Sequence, residues 1–134
     1  MKAFGQPSWG LTRALPETGY EATVARVRDA LAAEGFGVLT EIDVKATLAK
    51  KLGVELDPYV ILGACNPQLA YDALQHEPGI GLLLPCNVVV AAQGEGAVVS
   101  IADPRAMFSV VDDSEMQGTV EDARARLARV LAAL

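Results

Sequence analysis

From Leu82 to Ala92 the chain is an almost continuous run of Leu, Val and Ala, and after Gly94-Glu95-Gly96 it resumes as Ala97 to Ala102. Two apolar, β-rich runs joined by so short a glycine-bearing connection predict an antiparallel hairpin. Pro85 interrupts the first run. It cannot donate to a ladder, so a break, a bulge or an edge is expected there.

The elements before the hairpin follow from period and punctuation. Trp9 to Leu15 reads as extended. Thr18 or Gly19 opens a helix in which Tyr20, Val24, Val27 and Leu31 recur at helical spacing, and Gly35 ends it. Phe36, Val38 and Thr40 then alternate with Gly37, Leu39 and Glu41, as in a strand covered on at least one face. Asp43 has the position of an N-cap, its carboxylate able to accept from Lys45 or Ala46, and begins a short basic helix from Val44 to Leu52 that stops at Gly53. Tyr59 to Ala64 is a strand running into Asn66-Pro67, a cap followed by proline at the first helical position, with Leu69, Ala70, Ala73 and Leu74 as the buried stripe. Glu77-Pro78-Gly79 reads as a turn. Asp103-Pro104 repeats the cap-then-proline device before a helix over Arg105 to Val110. The last helix is expected from Thr119, with Asp122 in the capping-box position and Val120, Ala123, Leu127, Val130, Leu131 and Leu134 as its apolar face.

At 134 residues and 51% hydrophobic, the chain has material for a single domain with one core. With 5% aromatic residues that core is aliphatic, and Trp9, Phe36 and Phe108 are the expected anchors. Eleven basic residues stand against 17 acidic ones, with no Lys/Arg cluster, so nucleic acid is not an expected partner. The start has no apolar run of signal-peptide length before Pro7. The longest nonpolar segment, Ile80 to Ala92, is broken by Gly81, Pro85 and Asn87 and falls short of the roughly 20 residues a membrane helix needs. Two cysteines make no disulfide framework, so the expected compartment is the cytoplasm.

Both cysteines are followed by asparagine and stand beside proline: Cys65-Asn66-Pro67 and Pro85-Cys86-Asn87. A thiol next to a helix start lies near unpaired amides that favour the thiolate, so Cys65 is a candidate nucleophile, and Cys86 could resolve it as a disulfide if their Cα atoms lie within about 7 Å. The plainer reading makes each a small buried hydrophobe, the environment free cysteine most often has. Metal binding is not expected, because the cysteines lack zinc-site spacing and His76, the single histidine, reads as a solvated helix end. Asp57, Asp72, Asp103, Asp112, Asp113 and Glu77 sit where caps, turns and exposed faces want carboxylates. No phosphate loop, dinucleotide fingerprint or nucleophile elbow occurs. No cofactor is called for.

Three blocks, Gly35-Phe36-Gly37-Val38-Leu39-Thr40-Glu41-Ile42-Asp43-Val44-Lys45, Ile61-Leu62-Gly63-Ala64-Cys65-Asn66-Pro67 and Gly81-Leu82-Leu83-Leu84-Pro85-Cys86-Asn87-Val88, together with Asp103-Pro104, resemble the family catalogued as domain of unknown function 302. The resemblance covers Leu11 to Leu134 and leaves residues 1–10 as an N-terminal extension. It implies an α+β domain of the TATA-binding-protein-like class, an antiparallel sheet of four to six strands with helices packed on one face and a closing C-terminal helix, found as a homodimer in bacteria and archaea. It implies no reaction. The function expected is therefore a non-enzymatic, homodimeric small-ligand or partner-binding module, its polar spot formed where Cys65, Asn66, Cys86 and Asn87 meet Glu41, Asp43 and Lys45. The alternative is a thiol or redox enzyme using Cys65 and Cys86.

Overall fold

In the computed structural model, which describes Met1–Leu134, the expected hairpin is the centre of the sheet. β4 (Cys86–Gln93) and β5 (Gly96–Ala102) pair antiparallel with Gln93 opposite Gly96. Gly94 takes φ 58° in the two-residue loop, a dihedral glycine reaches without a Cβ penalty. β1 (Gly10–Leu15) pairs with β5, β3 (Tyr59–Cys65) with β4, and β2 (Gly37–Asp43) with β3, giving an antiparallel five-stranded sheet in the order β1-β5-β4-β3-β2. The fold is α+β.

Helices α1 (Tyr20–Ala33) and α5 (Gln117–Ala132) cover one face of this sheet. Val27, Leu31, Leu127 and Val130 from the helices meet Leu62, Val88, Val99 and Ile101 from the strands, all fully buried. Each such side chain contributes about 1.5–3 kcal/mol by leaving water, so this aliphatic layer is the main source of stability. A smaller cluster of Ala73, Ile80 and Met116, with Phe108 against it, lies beneath α3 (Pro67–His76). α2 (Val44–Leu52) and the short α4 (Pro104–Met107) complete the set. No helix is long and apolar enough to cross a membrane.

The local devices form as the residues dictate. Asp43 accepts from the Ala46 amide at 2.9 Å, Asn66 from Leu69 at 3.2 Å and Asp103 from Arg105 at 3.0 Å, each satisfying a helix-start donor. Gly53 ends α2 in the left-handed region.

Five expectations fail. Leu82 to Leu84 are not strand: Glu77 accepts from the Gly79 amide at 2.7 Å and starts a 3-10 helix over Pro78–Leu83. Ile80 plugs the small cluster while Leu82 is left 92% exposed. The strand begins only after Pro85, at the expected break. β2 lies at the sheet edge and is exposed along nearly its whole length, with a bulge between Val38 and Thr40. Trp9 is 65% exposed and anchors no core, and Leu74 lies outside the buried stripe of α3. α5 starts at Gln117, two residues early and without a side-chain cap, because the 3-10 turn Ser114–Met116 leads straight into it; Asp122 instead pairs with Arg126 at 2.9 Å.

Candidate functional site

The sheet register decides which candidate residues meet. β3 and β4 are neighbours, Ala64 lies opposite Cys86, and Cys65 is the next residue, so the two sulfurs belong to one end of the sheet. Both line a slot of about 40 Å³ between the strand ends, α3 and α5, shared with Phe36, Phe108, Met116 and Val120. Only Asn66 and Thr119 give that slot polar character. Both thiols are free. Burial, with a smaller contribution from neighbouring Cys65, pushes the Cys86 thiol up to about 11. Cys86 is therefore protonated at neutral pH, which removes the attacking form that a resolving thiol needs.

The asparagines part company. Asn66 is buried, its Oδ1 capping α3 and its Nδ2 donating to the Glu34 carbonyl at 3.4 Å, where Arg126 also donates at 3.3 Å. Its polar atoms hold the end of α1 to the start of α3. Asn87 is exposed and pairs with Gly63, one residue along from Cys86 and so on the opposite face of the pleat.

Glu41, Asp43 and Lys45 do not join the cysteines. Asp43 lies opposite Val60, four residues along β3 from Ala64, which is roughly 13 Å at strand rise. Glu41 is engaged with Arg28 at 2.8 Å, and Asp43 is spent on its cap. Lys45, with no ion pair, lines a different space: a cleft of about 1000 Å³ at the opposite end of the sheet. Its floor is Tyr59 and residues 91–94, one wall is Glu55 to Pro58, and the other is the N-terminal segment Met1 to Pro7. Phe4 donates its amide to Gln93 Oε1 at 3.2 Å across this cleft.

Sequence reasoning missed Tyr59, Gln93 and the N-terminal segment as site residues. No periodic signal marks a contact between residues 4 and 93. The one local cue is Pro7, whose carbonyl accepts from Gly10 at 3.1 Å and turns the chain back toward the sheet. Of the remaining candidates, Asp57 lies in the wall of the cleft. Asp103 and Asp113 cap short helices, and His76 sits at the exposed end of α3 with Nδ1 2.8 Å from the Asp72 carbonyl. No group of three or more His, Cys, Asp or Glu side chains is arranged to hold a metal.

Residues 11–134 match the family described as Domain of unknown function DUF302. The chain is also similar to a solved structure described as an uncharacterized conserved protein DUF302 from Bacillus stearothermophilus, with 30% identity, a TM-score of 0.86, and coverage of 95% of this chain and 98% of that one. No curated protein matches.

Proposed function

The chain belongs to the DUF302 family, and from that footing we propose that it is a non-enzymatic, homodimeric binding module whose small ligand occupies the cleft at Lys45. Size carries this reading. Small-molecule sites run from about 300 to 1000 Å³, and the cleft reaches that range whereas the slot between the cysteines, at about 40 Å³, has room for little more than one water. Lys45 offers an unpaired cation, Glu55 and Asp57 carboxylates, Tyr59 a ring and a hydroxyl, and Gln93 an amide, so the fitting ligand is a small molecule with an anionic group for Lys45, hydrogen-bond donors or a cation for the acids, and an apolar body. The thiol-enzyme alternative is weakened by the protonated state of Cys86. Unpaired thiols fit a reducing compartment such as the cytoplasm. Exposed Trp9, Leu82 and Val110 favour self-association by offering apolar surface that a second copy could cover.

Untargeted mass spectrometry of small molecules that co-purify with native protein tests the binding reading. A compound retained by the wild type, lost in Lys45→Ala and kept in Cys86→Ala supports it. Retention in Lys45→Ala, or the absence of any retained compound, sinks it.

A further inference from the structure

Strand β5 contributes Val99 and Ile101 to the helix-covered core, so alternation points Val98 and Ser100 to the other face of the sheet. That face has no α1 or α5 over it. Val98 is nevertheless 3% exposed, Ser100 7%, and Ala91, opposite Val98 on β4, 6%. The N-terminal segment lies along part of this face. Met1 to Pro7 line the cleft whose floor includes Ala91, and Pro7 comes close to Gly10, which itself abuts Ser100.

The segment is unevenly held. At one end Trp9 is fixed, its carbonyl accepting from the Asp103 amide at 2.9 Å, and a turn closes from Pro7 to Gly10. Beyond Pro7 the hold is one exposed hydrogen bond to Gln93 and a half-buried Phe4, while Lys2, Ala3, Gly5 and Gln6 lie open to water. A segment with so few buried contacts and a large space beneath it belongs to the low-stability end of a structure, where opening is local.

We infer that Met1–Pro7 is a strap that swings off the sheet about the Pro7–Trp9 turn and gates the cleft. What it gates rests on the binding reading above; the opening itself does not. The closed strap shields Val98 and hydrogen-bonds Gln93 through Phe4. The open strap exposes Val98, frees Gln93 Oε1 and clears one wall of the cleft for an entering molecule.

The test is alkylation at position 98 in V98C by iodoacetamide, read by peptide mass spectrometry so that Cys65 and Cys86 are scored separately. Labelling is expected to be about tenfold or more slower in the full chain than in V98C lacking residues 2–6, with F4A/V98C in between. Below the unfolding transition the full-chain rate should not change with urea, since opening a strap exposes little surface. Equal rates with and without residues 2–6 would overturn the inference, as would a full-chain rate that climbs with urea along the global unfolding slope. Should the shortened chain fail to fold, an F4A/V98C rate equal to that of V98C overturns it alone. Absence of any cleft ligand leaves these rates unchanged, so the two readings fail separately.

Discussion

Asp103 is the polar residue whose loss should cost the fold most. Its side chain is 11% exposed, Oδ1 accepts from the Arg105 amide at 3.0 Å, and both carboxylate oxygens accept from Arg124 Nε, at 3.1 and 3.3 Å. It thereby starts α4 and ties it to α5. In Asp103→Ala the lost cap costs about 1 kcal/mol. The lost charge-assisted bonds cost about 1.5–3 kcal/mol, and the lower half of that range applies because Arg124, 31% exposed, can turn to water. The sum is about 3 kcal/mol. At about 2.1 cal/mol/K of unfolding entropy per residue, 134 residues convert that to a Tm lowered by roughly 11 °C. Asp103→Asn keeps an acceptor for Arg105 and loses the charge, so about half the loss is expected. Urea unfolding of Asp103→Ala, Arg124→Ala and the double variant isolates the pair, with an expected coupling of about 1–2 kcal/mol. A loss under about 0.5 kcal/mol in Asp103→Ala, or additive single variants, would refute the reasoning that this carboxylate joins the two helices.

Two further outcomes follow from packing and burial. A Cβ at Gly96 would clash with the Leu15 carbonyl oxygen and lie 2.5 Å from Pro16 Cα, both backbone. Gly96→Ala should therefore lose about 2–3 kcal/mol in chemical denaturation, and a neutral result means that β1 is free to move off β5. Cys86 has its folded pKa raised to about 11 from an ordinary value of 9.0, so the folded state holds the proton more tightly than the unfolded one. Stability is then full below about pH 9 and falls as pH rises toward 11, by about 2–3 kcal/mol at the limit. Unfolding free energies measured across that window should decline in the wild type and stay flatter in Cys86→Ala; parallel curves would show that the thiol is not shielded from water.

What could be seen in the chain beforehand was what neighbouring residues decide among themselves. The hairpin at Gly94, the caps Asp43, Asn66 and Asp103, and the apolar face of α5 each follow from a few adjacent positions. Leu82 to Leu84 look like strand only because they are continuous with the apolar run of β4; leucine itself favours helix, and the Glu77 cap and the pull of Ile80 into a cluster with Met116 set a 3-10 helix there. The exposure of β2 was hidden because alternation reports a pleat, and an edge strand has the same pleat as a central one. The site divided for a similar reason. That Cys65 and Cys86 share one end of the sheet while Lys45 sits at the other is fixed by the register of β3 between β2 and β4, and no single segment encodes a register. The cleft beneath Phe4 depends on a contact between positions 4 and 93, which neither segment announces.

The irregularity in β2 has a consequence for how copies of this protein can meet. An outermost strand invites another chain to continue the ladder. Here the two-for-one step beside Leu39 throws out the spacing of amides and carbonyls midway, and Glu41 and Asp43 would bring like charges together in a mirrored arrangement of two such borders. Growth of the sheet across this border is disfavoured, so stacking into fibres through β2 is held off.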